Sequence, residues 1–387
     1  MKSESVRLFF WAIFLPLAST TAAEGSVILR PSLSLTEAYT DNFFFTLHDK
    51  KGELITTLSP EITITQRNSD IILAGRYAGG IIRHLNYSAG NGYRQGLALD
   101  MDLPFLSRSF KGLAVHLAER AEQAESRYTT PRGPTGPALF ATERGRIDTF
   151  NNLASIRIDS RWSQEWFSTL TYNNTNIQYK GGLLEDVITH DAGLSSRYSM
   201  HHGRTNFTLS YNIFNANFEM ARSAKATQIA FGGTQAITPT ASFYGGIGES
   251  WVKDGPTKLI THIGALKRDQ LALLGIDYFR GVETGDGVIA AAILHQGLSA
   301  KATRPITVKT VVTAGLDYGH QRSLSGPDAE TFSRGLTASI TTRLSPLLSW
   351  TLQYAYLDDE GRGVAVENVK RNQVSFTLYA TPAGWQR

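Results

Sequence analysis

The chain contains no cysteine among its 387 residues. A disulfide framework and thiolate metal sites are therefore excluded, which fits an exported protein that does not rely on disulfides. Past the first residues, no apolar run approaches the ~20 residues of a membrane-crossing helix. If this chain crosses a membrane, it does so with strands. Charge is also sparse: 19% of residues are ionic and the net charge is +4, spread over many segments. That spread leaves no basic stripe or recognisable module for nucleic acid. No composition break divides the chain into soluble domains.

The first residues are of a different kind. Lys2 and Arg7 precede the apolar run Leu8–Leu17, and the small residues ASTTAA follow. This layout predicts a secretory signal over 1–23, cleaved after Ala23, with 24–387 as one mature domain.

Within that domain the strongest signal is alternation. In RPITVKTVVTAGLDY (Arg304–Tyr318), one parity carries Val308, Thr310, Val312, Ala314, Leu316 and Tyr318. The other carries Lys309, Val311, Thr313, Gly315 and Asp317. Successive strand side chains point to opposite faces, so one face is apolar and ends in an aromatic while the other is mixed and charged. The run is longer than the ~5–6 residues usual in soluble strands and matches the ~9–11 of a tilted membrane strand. Similar runs recur: Asn152–Ser160, Phe167–Tyr172, Ala192–Tyr198, Asn206–Ile213, Ala226–Gly232, Ala241–Ile247, Lys258–Ala265, Leu271–Phe279, Val288–Leu294, Val308–Tyr318, Gly335–Leu344, Ser349–Tyr356 and Gln373–Ala380. Short connections (RWSQEW, HHGR, ITPT, KRDQ, ATRP, LSPL) alternate with more polar, longer ones, including a Pro-rich segment over 121–146. The expectation is an all-β, transmembrane, antiparallel up-and-down barrel of about 18 strands, 16 being the other even count the spacing admits. Aromatics near strand ends, among them Tyr77, Trp162, Trp166, Tyr172, Tyr198, Tyr211, Trp251, Tyr278, Tyr318, Trp350, Tyr354 and Tyr356, suit two interfacial girdles.

At PSLSLTEAYTDNFFF (Pro31–Phe45) and LITTLSPEITITQ (Leu54–Gln66) the chain resembles the β-barrel porin 2 group of bacterial outer-membrane barrels. The carriers are a Pro-led first strand, the element Tyr39, Asp41, Asn42, and a following Ser59-Pro60 with an alternating run. The resemblance implies the outer membrane of a Gram-negative cell, lipid and the barrel-insertion machinery as partners, and a cell-envelope role that in some relatives lies beside exopolysaccharide systems. The end of the chain departs from the usual terminal aromatic, with Tyr379 or Trp385 as the stand-in before Arg387.

Parity assigns Arg76, Arg157, Asp159, Arg197, Asn212, Lys309, Asp317, Arg343 and Gln353 to the lumen. An Arg or Lys on the lipid face near mid-height would cost ~2–4 kcal/mol, so strand charges should point inward. Such a wall either attracts an anionic solute or polysaccharide, or pairs its ions internally, Arg157 with a neighbouring carboxylate for instance. Dispersed histidines, with only His201-His202 adjacent, give no metal chelate, and Asp358-Asp359-Glu360 lacks the ligand spacing of a calcium loop. No G-x-S-x-G elbow is present, so neither an enzyme nor a cofactor is expected. Glycine pairs at 79–80, 232–233 and 245–246 fit strand bends. Two functions remain: a porin-like channel with 121–146 as its constriction, and a surface-structural or adhesin-like barrel with a plugged lumen and binding loops.

Overall fold

The computed structural model describes residues 26–43, 48–88, 91–126, 147–180, 186–219, 223–269, 272–284, 292–324, 329–363, 368–382 and 385–386. The predicted signal 1–23 lies outside these residues, as does 127–146 of the Pro-rich segment.

Eighteen strands follow one another: β1 (Ser26–Thr40), β2 (Glu53–Arg67), β3 (Ile72–His84), β4 (Gly92–Asp102), β5 (Leu113–Ser126), β6 (Ile147–Arg161), β7 (Trp166–Lys180), β8 (Val187–Met200), β9 (Thr205–Phe218), β10 (Ala224–Thr238), β11 (Ala241–Val252), β12 (Thr257–Arg268), β13 (Leu273–Thr284), β14 (Ala292–Pro305), β15 (Thr310–Ser323), β16 (Ala329–Ser345), β17 (Leu348–Gly363) and β18 (Val369–Ala380). One helical turn, α1 (Pro104–Ser109), fills the β4–β5 connection. Each strand pairs antiparallel with the next, and β1 pairs with β18 from Leu33↔Ala380 to Thr40↔Gln373. The sheet is therefore a closed antiparallel barrel, the predicted class with the predicted strand number. A two-residue strand, Trp385–Gln386, adds to the β1 edge opposite Leu29 and Ile28.

Side-chain alternation is inverted relative to a soluble protein. Leu33, Leu35, Leu58, Ile62, Ile81, Leu194, Leu209, Phe231, Ile247, Ile276, Leu316 and Phe376 point outward and are exposed. An apolar outside is stable only against hydrocarbon, and a closed ladder is the strand solution that leaves no backbone group unpaired there. The strand aromatics predicted for the girdles all share the outward parity.

Prolines and glycines sit where the ladder tolerates them. Pro60 pairs with Leu33, but the β2–β3 ladder skips it between Leu58↔Ile81 and Glu61↔Ala78, opposite Gly79-Gly80. A residue without an N–H occupies a ladder gap at no hydrogen-bond cost.

Several sequence expectations are corrected. Of the expected strand Val288–Leu294, residues 288–291 lie outside the described residues; Ala292–Leu294 belong to β14, which runs on through the weakly patterned HQGLSAKATRP, because small alternating residues suffice once both neighbours pair with them. Val308 and Lys309 belong to the β14–β15 turn, where the Thr310 N–H closes onto the Thr307 carbonyl. The longer connections shrink because strands of 11–17 residues overrun the membrane requirement. Thus β5 continues to Ser126, and Asp358-Asp359-Glu360, expected in a loop, lies within β17.

The resemblance motif lies at the closing seam. Asp41 accepts hydrogen bonds from the Asn372 backbone N–H and side-chain amide, both at 2.7 Å, and donates its own N–H to the Asn372 carbonyl at 3.1 Å. Asn42 donates its amide to the Lys370 carbonyl at 3.0 Å. Hydrogen bonds to a charged group contribute about 1.5–3 kcal/mol. Asp41→Ala is accordingly expected to lower the temperature at which the refolded barrel loses its compact migration on a detergent gel. An unchanged transition would show that the seam does not depend on this carboxylate.

Candidate functional site: the barrel lumen

A hydrated lumen is visible in the exposure pattern. Glycines apart, every buried residue among those described lies toward the longer-loop end of its strand, or just beyond it. Examples are Thr40 and Glu53 on β1–β2, Val187 on β8, Phe218 on β9, Ser250 on β11 and Asp359 on β17. At mid-height the inward side chains stay accessible: Arg76 is 58% exposed and Arg120 63%. A packed interior would bury them, so the inner face at this level meets water.

The predicted wall residues distribute unevenly. Arg76 points inward from β3 and pairs with Glu61 at 2.6 Å. Arg157 and Asp159, two apart on β6, pair with each other at 2.9 Å, and Thr169 donates to the same carboxylate. Arg197 of β8 faces inward and lies over the Phe167 ring, 4.9 Å from its centroid. Asn212 folds across Gly193 of the neighbouring strand, and Gln353 faces inward from β17 between Ser339 and Ser375. Asp317 occupies the far wall on β15, and Lys301 stands opposite the adjacent inward residue, Gly315. Lys309 does not line the wall: it sits in the β14–β15 turn, and its carbonyl accepts the Arg343 N–H at 2.8 Å. Arg343 itself lies at the shifted end of β16. Lys309 belongs to the short-turn rim because β15 begins one residue after it, whereas Arg343 stays within β16, opposite Ser349 and near the short-turn end.

The same inward parity supplies residues that the sequence reading passed over. Arg94 of β4 reaches the Ser59 hydroxyl at 3.2 Å. His116 of β5 meets Asp102 at 2.7 Å and Asp100 at 3.7 Å, and Arg120 lies 3.9 Å from Asp100. From the loop end toward the short-turn end, Arg94, Arg76 with Arg120, Arg157 and Arg197 form a descending series across β3–β8. Among the described residues, Arg94 and Arg197 have no carboxylate within ion-pair distance, whereas the others are partly neutralised. Strands β4 and β5 alternate here, so parity counted from Leu97 or Leu117 would have found Arg94, His116 and Arg120.

The opposite wall is narrowed by its own strands. The β12–β13 ladder stops at Thr261↔Arg280, although β13 continues to Thr284. Beyond that point β13 and β14 lean across the lumen. Val282, Ala292 and Leu294, outward by parity, pack with Phe214, Ala216 and Phe218 of β9, Ala224 and Ala226 of β10 and Val252 of β11, which point inward. The Gln228 amide donates to the Val282 carbonyl at 2.6 Å, tying β10 to a strand three places away. Burying one hairpin's outer face on another's inner face constricts the loop end. Among the described residues β13–β14 narrow the loop end; the segment 121–146, expected as a constriction, lies from residue 127 onward outside the described residues. Truncating an inward ring there, as in Phe214→Ala or Phe218→Ala, should cost about 3 kcal/mol of packing. Faster backbone hydrogen exchange over Gly281–Glu283, with β1–β7 unchanged, is the expected readout; unaltered exchange would show that the rings do not hold the hairpin.

No family model matches the chain, and no curated protein matches it. Solved structures resemble it in fold. Pseudomonas aeruginosa OccK2 (OpdF) aligns at a TM-score of 0.51 and 10% identity, covering 92% of this chain and 98% of that one. Acinetobacter baumannii OccAB3 aligns at 0.52 and 9% identity, covering 93% and 99%. A second OccK2 structure, in complex with glucuronate, aligns at 0.51 and 9% identity over 92% and 98%. At these identities the likeness concerns the barrel alone.

Proposed function

We propose that this chain is an outer-membrane porin-like channel for small anionic solutes, exported by the 1–23 signal, with its longer loops outside the cell and its short turns in the periplasm. The observation carrying the reading is the series of inward guanidiniums down the wall, accessible at mid-height, in which Arg94 and Arg197 have no carboxylate partner among the described residues. A guanidinium facing water in a low-dielectric wall raises the local concentration of anions, and several at successive heights give a solute more than one resting place. Eighteen strands also give a diameter at which an aqueous passage remains. The structural likeness to a barrel solved with glucuronate, a carboxylated sugar, supports this reading. Lipid, the insertion machinery and an anionic or saccharide solute are the partners it requires. The adhesin-like alternative needs a lumen packed at mid-height, and the accessible arginines speak against it.

Single-channel recording in a planar bilayer under a salt gradient tests this. The wild type is expected to show stable steps with anion preference. Arg94→Gln with Arg197→Gln should move the reversal potential toward cation preference by more than Arg157→Gln, because Asp159 already neutralises Arg157. Silence from demonstrably folded and inserted protein would overturn the channel reading, and equal shifts from all three substitutions would overturn the assignment to unpaired arginines.

A further inference from the structure

Beside the arginine series, starting at β9 where Thr208 stands opposite Arg197, is a recess of a different chemistry. Its volume is about 480 Å³, within the range of small-molecule sites. It lies in the crease that forms where β13 leaves β12. Thr208, Ser210, Gly232, Gly246, His262 and Phe279 contribute inward-facing groups.

Glycine makes the recess. A Cβ on Gly232 would stand 2.8 Å from the Gly245 carbonyl oxygen and 3.1 Å from the Gly246 Cα. On Gly248 it would fall inside the Ile229–Ala230 backbone. The wall here is bent so closely upon itself that side chains are excluded, and bare backbone faces the lumen.

The polar groups at its edge are held in place. Asp277 of β13 accepts from the Tyr244 hydroxyl at 2.9 Å and from His262 Nε2 at 2.7 Å, both at the same oxygen, Oδ1. The Tyr244 ring itself lies over Gly264, where a Cβ would collide with it. Phe279, two residues beyond Asp277 on the same face and so roughly 7 Å away, is fixed by an edge contact with His295 at 4.4 Å and by lying over Gly297.

An aromatic ring, a carboxylate with its second oxygen uncommitted, a histidine and two hydroxyls around an open glycine wall complement a ring that carries C–H on its faces and hydroxyls on its rim. Arg280 also lines the recess, so the carboxylate held at its edge stands beside a guanidinium and the two charges offset each other, which favours a ring without net charge. We propose that the recess is a subsite for a neutral hydroxylated ring, a hexose unit. Phe279 takes the apolar face of the ring, and Asp277 accepts hydrogen bonds from its hydroxyls. This rests on the lumen being a solute path, and it assigns the neutral part of the solute to the wall next to the arginines.

The test is current blockade of the refolded full chain in a planar bilayer by added maltose, scored against each channel's own open current. Wild type is expected to show concentration-dependent interruptions. Phe279→Ala should raise the half-blocking concentration about tenfold, Phe279→Tyr should retain blockade, and Asp277→Asn should weaken it. Equal blockade of wild type and Phe279→Ala would overturn the subsite, and so would blockade by benzoate but not by maltose. If the folded protein carries no current, calorimetric titration of maltose into the micellar protein decides instead. Heat that disappears in Phe279→Ala supports the subsite although the channel reading has failed, and no heat overturns it.

Discussion

A chain in hydrocarbon must pair every backbone N–H and carbonyl within itself, and for strands the one arrangement that achieves this is a ladder without edges. The β1–β18 pairing is consequently the contact on which the rest of this structure depends. Without it two strands would present unpaired edges to lipid, and no inside would exist. It is reasonable that the densest side-chain network binding first strand to last lies here, with Asp41 clasping Asn372, Tyr354 donating its hydroxyl to the Asn372 amide oxygen, and Asn42 reaching Lys370.

Closure sorts residues by parity, and parity provides the function. The side chains forbidden to the lipid face accumulate on the other, where they meet water. This is why a chain of low charge content has a strongly polar lumen. The two lumen walls then diverge. On β3–β8 long ionic side chains project inward and partly neutralise one another, and among the described residues Arg94 and Arg197 have no carboxylate partner. On β9–β13 glycines strip the wall to its backbone, allow a sharp bend, and let β13 and β14 fall inward onto β9–β11. One wall carries charge while the other carries shape, and the loop end is narrowed by packed apolar residues rather than by charge.

Much of this is legible in the sequence because period-two alternation is dictated by the backbone itself. Leu316 and Tyr318 outward with Asp317 inward, or Arg157 and Asp159 inward between Ile156 and Ile158, follow from counting alone. What counting misses is what depends on pairing partners. The continuation of β14 past Leu294 was missed because HQGLSAKA is inconspicuous, its strand character deriving from β13 and β15. Lys309 was assigned to the wall because turn boundaries are set by closing hydrogen bonds such as Thr310 N–H to Thr307, which composition does not encode. The lean of β13–β14 and the Tyr244–Asp277–His262 cluster bring together residues on different strands, and only the three-dimensional arrangement reveals them. The ion pairing of Arg157 was anticipated as an alternative and is what the structure contains.

The central claim is that the inner face of a closed barrel meets water while the outer face meets lipid. The absence of native cysteine makes the direct measurement straightforward: single cysteines placed from Thr313 to Tyr318 along β15 in membrane-reconstituted protein, each probed with a charged, water-soluble thiol reagent. The account predicts modification at 313, 315 and 317 and protection at 314, 316 and 318. Protection of the odd positions, or modification without alternation, would contradict it.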